Sequence, residues 1–399
     1  MGLASHSDIT TLRTSAQTAC NELIRWLTDE AYPMWSTNGI DPVRGGFQES
    51  LTQSGSPTEV PRRARVQPRQ VYSFAQAPQF HWRGDAASVA AHGLRYFLAH
   101  FRRPDGLFRT RVRPDGAALD DSTVLYDQAF ALLAFAAVAG FLGPEFDPAG
   151  EADRLRRALL NTYKRNGPRQ AGLGFESCLP PALPLLSNPH MHLFEASLAW
   201  CEKTGAPEWH AFADEIGELA LAQFIDASTG ALRENFDASW APAAGLPGRI
   251  VEPGHQYEWA YLLLRWRGTR DARATKAARR LIDIGEKFGV RDGVAINALL
   301  DDFSVHDAEA RLWPQTERLK AGAIAARLFG EPTHWSMVVE AATGLTRYFK
   351  TPVRGLWHDR LAPSGAFLDE PAPASSFYHI VGAIVELSAL LAANTGSVP

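Results

Sequence analysis

Cysteine is scarce. The 399 residues hold three, Cys20, Cys178 and Cys201, far apart and without a CxxC pair. That spacing argues against a disulfide framework and a cysteine zinc site, and it fits a reducing compartment, so a cytoplasmic location is expected. Charge of one sign is lacking as well, the formal net charge being -4. So balanced a chain is a poor binder of nucleic acid and of anionic membrane surfaces, and neither partner is expected. Apolar runs are short. The longest, Ala129 to Leu142, is about three-quarters of the roughly 20 residues a bilayer span needs, and Asp127 and Glu145 bracket it closely. It predicts a buried helix. The opening MGLASHSDITTLR contains no basic stretch followed by an apolar core, and His6 stands where a myristoylation pattern needs Ser or Thr. Neither a secretory signal nor a lipid anchor is expected. There is no P-loop, no GxGxxG after a strand, no GxSxG elbow and no HExxH, so nucleotide chemistry, serine hydrolysis and zinc hydrolysis lack support.

Alternating strand patterns are nearly absent too, and helical periodicity takes their place. Leu23, Trp26 and Leu27, then Leu94, Phe97, Leu98 and Phe101, follow i, i+3, i+4 spacing, as do Ile216, Leu219 and Ala220. A phrase recurs in which a helix ends in an aromatic residue, a few polar residues follow, and then a glycine precedes an apolar residue. It occurs at Gly106-Leu107-Phe108, Gly230-Ala231-Leu232, Gly293-Val294-Ala295 and Gly355-Leu356-Trp357. The glycines at 230, 293 and 355 stand 63 and 62 residues apart, and 106 lies two such periods before 230. The missing copies are supplied by Gly172-Leu173-Gly174-Phe175 and Gly46-Phe47. Six units of about 62 residues, each with room for two helices, predict an all-α fold of six helical hairpins closed into an (α/α)6 barrel. With no linker visible, residues 1–399 are expected to form one domain.

Each unit should open its inner helix with a polar cluster, and six such clusters are present. They contain Arg65 to Tyr72, Leu125 to Phe130, Asn188 to Glu195, Glu252 to Trp259, Leu312 to Glu317, and Ser375 to His379. From Asp127 the registered positions His192, His255, Glu317 and His379 follow at intervals of 65, 63, 62 and 62 residues. All six clusters therefore fall at one rim. Helix N-termini converging there favour anionic intermediates and hydroxyl-rich ligands. A histidine alone at a helix start is usually a cap or a solvated side chain, but three in register point to proton transfer near neutral pH. Glu195 and Glu258 each follow a histidine by one turn and could orient it. Arg69, flanked by apolar residues, suits a developing enolate oxygen, although Arg65 competes for that place. Trp313 and Phe108 could be stacking platforms for a sugar. The His190-Met-His192 spacing does not put two rings on one helix face, so no metal or other cofactor is expected.

At these clusters the sequence resembles the N-acylglucosamine 2-epimerase superfamily. The resemblance rests on NPHMHLFEA (188–196), EPGHQYEWAYLL (252–263), RLWPQTERLKA (311–321) and FYHI (377–380), in that order across nearly the whole chain. It implies an (α/α)6 barrel and metal-free proton transfer through a cis-enediolate. The general acid and base pair would be His255 and His379, with His192 assisting ring opening, Arg69 beside O1 and O2, and Glu258 orienting His255. Asn188, Tyr126, Phe108, Trp313, Gln315, Glu317 and Glu195 would meet the sugar. The segment from Cys178 into NPHMHLFEA looks more like mannose isomerases than 2-epimerases. The expectation is therefore an aldose–ketose isomerase interconverting D-mannose and D-fructose, with lyxose a further candidate, acting as a monomer or homodimer. The alternatives are a sugar 2-epimerase, a glycoside hydrolase using Glu258 and Glu317, and a binding protein that keeps the fold alone. Basic residues available for a charged substituent are Arg109, Arg111 and Lys320.

Overall fold

The computed structural model describes residues 6–165 and 173–394. Helices dominate it. α1 (His6–Trp26) passes through a π-helical turn, Leu27–Ala31, into α2 (Tyr32–Thr37). The rest alternate between two layers. The inner helices are α3 (Val66–Ala75), α5 (Leu125–Val138), α7 (Ser187–Thr204), α9 (Pro253–Arg267), α11 (Leu312–Phe329) and α13 (Ser375–Asn394). The outer ones are α4 (Ala86–His100), α6 (Pro148–Thr162), α8 (Pro207–Leu219), α10 (Ala272–Gly289) and α12 (Pro332–Thr346). Each inner helix packs on the next, and α13 packs back on α3, closing an (α/α)6 ring. The sixth outer place is filled by α1, against α12 and α13, so one hairpin of the six joins the two ends of the described chain. The strand Ser50–Leu51 pairs with Ala372–Pro373 and seals the same seam.

Burial explains which helices go inside. α5 is buried from Leu125 nearly to Val138, so it has almost no polar face, and α11 is buried from Pro314 to Ala326. Its outer counterpart α10 is two-faced, burying Ala274, Ala278, Leu281 and Ile282 while its arginines face solvent. α13 is long and apolar enough to cross a membrane by length and composition, and most of it is buried in the barrel. The strands absent from the sequence pattern do exist, but each is two or three residues long, too short to show alternation.

The repeated glycine has a physical reason. Gly46, Gly106, Gly174, Gly230, Gly293 and Gly355 all have φ between 74° and 86°, a left-handed turn that glycine enters without steric cost. Gly172, the other glycine of that third copy, lies outside the described residues. After five of these six turns, all but the one at Gly355, the chain is clamped by an inner helix. The Gln67, Gln128, Gln256 and Gln315 side chains each accept from a backbone N–H and donate to the carbonyl of one residue: Phe47, Phe108, Leu232 and Ala295 respectively. In the third unit His190 takes this place, its Nε2 accepting from the Phe175 N–H at 3.0 Å. These clamps satisfy loop backbone groups that burial would otherwise leave without partners. They also fix the loops that carry part of the site.

Candidate active site

At the rim where the inner helices begin lies a cavity of about 210 Å³, small beside the roughly 300 Å³ at which drug-sized pockets start. It is lined by Arg69, Tyr126, Asn188, His192, Glu258, His255, Trp313 and His379, together with Glu252, Arg311, Ser375 and Ser376. Each expected histidine is there, brought from α7, α9 and α13. Arg69 rather than Arg65 enters the cavity: Arg65 is held by Asp127 at 2.8 Å, whereas Arg69 donates to the Ser375 carbonyl at 3.3 Å and to the Tyr126 hydroxyl.

Every histidine ring is oriented by a carboxylate at Nδ1, which leaves Nε2 for the cavity. His379 meets Glu317 at 2.8 Å, His255 meets Glu234 at 2.9 Å, and His192 meets Glu195 at 3.4 Å. Trp313 is near the first two, its ring centroid 4.9 Å from His255 and 5.8 Å from His379.

Several expectations need correcting. Glu258 does not orient His255. It points toward His192, whose Nδ1 lies 3.7 Å from its Oε1, because the residue one turn along α9 follows the inner face into the barrel axis. Glu317 is fully buried behind His379, meets that ring and does not line the cavity, and Glu195 stands likewise behind His192. Gln315 and Phe108 are absent from the cavity lining. Gln315 is spent clamping Ala295, and Phe108 packs in the core on Phe97 at 4.4 Å. Tyr126, Asn188 and Trp313 line the cavity as expected.

Glu234 was not legible in the helix clusters. It lies four residues after the repeated Gly230, and the same step from Gly355 reaches Asp359, another buried acid at the rim. Extending the glycine repeat by four residues would have found both. Lys320 and Tyr378 form the floor. The Lys320 ammonium lies 2.8 Å from Glu317 and 3.8 Å from Glu195, over the face of Tyr261, and the Tyr378 hydroxyl donates to Glu195.

The surroundings push the histidines apart. Burial disfavours a charged His255, but Glu234 and Glu252 outweigh it and raise its pKa to about 10. His379 goes the opposite way: burial, with Arg69 and Lys320 nearby, holds it well below the ordinary histidine value. Burial also lowers His192, to about 3. At neutral pH His255 is therefore an imidazolium and His379 a free base. Burial, reinforced by Glu317 and Glu195, raises Glu258 well above its ordinary carboxylate value. Among the described residues both Glu258 carboxyl oxygens, Asn188 Oδ1 and Arg69 Nε are buried without a hydrogen-bond partner. Unmet donors and acceptors around one small cavity are what a hydroxyl-rich ligand would satisfy.

One variant checks the His255 assignment. Glu234→Gln removes the nearer carboxylate, so the alkaline limb of kcat/KM, set by loss of the His255 proton near pH 10, should move toward neutrality. A pH–rate profile with an unmoved limb would contradict the role given to Glu234.

Three groups bring histidine and carboxylate ligand atoms together: His192 with Glu195 and Glu258, His255 with Glu234 and Glu252, and His379 with Glu258 and Glu317. Each ring already faces its carboxylate through Nδ1, and Lys320 supplies positive charge to Glu317 and Glu195. A larger cavity of about 660 Å³ opens at the opposite mouth, where the inner helices end. It is lined by no histidine; of its two arginines, Arg265 and Arg327, the first is paired with Glu202, and Glu386 accepts from Tyr261. The proton-transfer groups belong to the smaller cavity.

An (α/α)6 barrel with carboxylate-oriented histidines and an arginine around a small polar cavity has the makings of a sugar-processing enzyme. The sequence profile of N-acylglucosamine 2-epimerase (GlcNAc 2-epimerase) matches residues 45–383. The chain belongs to that family, whose members are sugar epimerases and isomerases. It is 50% identical over 377 residues to a mannose-6-phosphate isomerase of Rhizobium meliloti (strain 1021), covering 92% of this chain and 96% of that one. It is 27% identical over 317 residues to a D-mannose isomerase of Thermobifida fusca, covering 70% and 72%. The cellobiose 2-epimerase of Spirochaeta thermophila DSM 6192 shares the fold with a TM-score of 0.86 and 22% identity, over 97% of this chain and all of that one.

Proposed function

We propose that the protein is a metal-independent aldose–ketose isomerase acting on a mannose-configured sugar, giving the fructose-configured ketose. The observation that carries this reading is the opposed protonation of two histidines across one small polar cavity, a ready general acid and a ready general base. His192 assists opening of the pyranose ring. His379 takes the C2 proton of the open-chain aldose while the His255 imidazolium gives its Nε2 proton to O1, forming a cis-enediol. The proton on His379 is then delivered to C1, and His255 recovers a proton from O2 as the C2 carbonyl forms. No net proton is gained or lost. Arg69, which lines the same cavity, would lend its fixed positive charge to the enediolate oxygens. Glu258 and Asn188, whose buried oxygens lack partners, would hydrogen-bond the hydroxyls.

A second reading is a 2-epimerase, since His255 and His379 line one cavity and two such groups could serve the two faces of C2. Return of the proton to the other face of C2 would then give a glucose-configured product. The names of the two sequence relatives, a mannose-6-phosphate isomerase and a D-mannose isomerase, support the isomerase. A glycosidase has less support, since Glu317 is fully buried and committed to His379 and Lys320. A proton NMR time course with D-mannose and with D-mannose 6-phosphate separates these readings. A ketose as first product is expected; a glucose-configured aldose appearing first would make it an epimerase.

A further inference from the structure

The residues described so far address C1 and C2 and leave the far end of a hexose unread. We propose that Arg311, at the mouth of the catalytic cavity, binds a phosphate ester on O6, so that an aldohexose 6-phosphate is preferred over the free sugar. This rests on the isomerase reading of the same cavity.

Arg69 and Arg311 are the two arginines that line it. Arg69 is buried and held inside by the Ser375 carbonyl and the Tyr126 hydroxyl, with its guanidinium 4.0 Å over the Phe130 ring. Arg311 is different. Its side chain is 47% exposed, and its closest carboxylate oxygen is Oδ2 of Asp359, 3.6 Å from Nε and too far for a hydrogen bond. Asp359 itself accepts from the Ser376 hydroxyl at 3.1 Å.

The backbone beneath that loosely paired head is fixed. The Arg311 N–H donates to Asn297 at 3.1 Å, its carbonyl accepts from Gln315 at 2.9 Å, and the next N–H, of Leu312, donates to the Asp359 carbonyl at 2.8 Å. A planar guanidinium on a rigid base, facing the cavity and held only by a loose ion pair with Asp359, suits an oxyanion that it can grip through two N–H groups. Neighbouring cations are held more closely. Arg65 is paired with Asp127, and Arg360, across the strand pair from Arg311, is paired with Glu370 at 2.7 Å. The three basic residues suggested by the sequence are unsuited as well: Arg109 is held by Asp121 at 2.9 Å, Arg111 reaches Asp120 at 3.3 Å, and Lys320 is buried in the floor. Besides Asp359, the acid lining the mouth is Glu252, which is turned toward His255 at 3.5 Å.

The test uses calorimetric titration with two ligands that cannot react, mannitol and the mannitol phosphate obtained by reducing mannose 6-phosphate at C1. Wild-type protein should bind the phosphate about 10- to 100-fold more tightly, as expected of hydrogen bonds to a charged group. Arg311→Ala should lose most of that preference, and Arg311→Lys should keep part of it. Equal binding of both ligands by the wild type, or an undiminished preference in Arg311→Ala, would overturn the proposal. Because binding needs no turnover, a wild-type enzyme that made no ketose would count against the isomerase reading, while the titration still decided the role of Arg311.

Discussion

His379→Ala is expected to lower kcat/KM by about 10²- to 10⁴-fold or more, and His255→Ala by a similar factor, with the fold intact by circular dichroism. The reasons for the two losses differ. Without His379 the C2 proton has no neutral base, because Glu317 behind it is buried and faces Lys320. Without His255 the developing oxyanion has lost its proton donor, and only the Arg69 charge remains. Since the two groups act on one transition state, the double variant should be little worse than either single one. Near-wild-type turnover in either single variant would remove the mechanism.

The second large effect concerns stability. Lys320 is buried between Glu317 and Glu195, the carboxylates that orient His379 and His192. Lys320→Met would leave both acids buried without their cation, and breaking such a pair costs about 3–5 kcal/mol. Partner carboxylates raise the Lys320 pKa well above its ordinary value against the opposing effect of burial. Its contribution is thus fully present below the unfolded-state value and is lost only as pH rises through the raised one. The deficit of the variant should therefore hold steady around neutral pH and shrink in acid, as the carboxylates gain protons. Removing this cation also raises the His379 pKa, so any residual activity should need a higher pH. Urea unfolding at neutral pH checks the claim, and a loss under about 1 kcal/mol would mean that the floor is not held by this pair.

How far the sequence reaches can be judged from individual residues. The glycine period exposes the ring because each copy needs the same left-handed turn, and the register of His192, His255 and His379 exposes the rim because inner helices start at equivalent heights. The limits of the pattern lie where two different jobs use one residue type. Gln315 sits in a polar cluster at a helix start, as a sugar ligand would, yet it clamps a buried loop, and His190 does the same job beside His192. Glu258 follows His255 by one turn, but the twist of the helix turns it toward a different histidine. Glu234 belongs to a loop, so helical spacing does not reach it. The pairing of α1 with the last inner helix lies beyond a repeat read unit by unit, since it joins residues at opposite ends of the chain.

The central claim is that one histidine carries the C2 proton to C1. Its most direct test is mannose 6-phosphate deuterated at C2, incubated with EDTA-treated enzyme in ordinary water and followed by NMR. The account predicts fructose 6-phosphate with part of the deuterium at C1 and the rest lost to solvent, at a rate unaffected by the chelator. Complete retention of the label, as in a hydride shift, or activity that vanishes with EDTA and returns with a divalent metal, would contradict it.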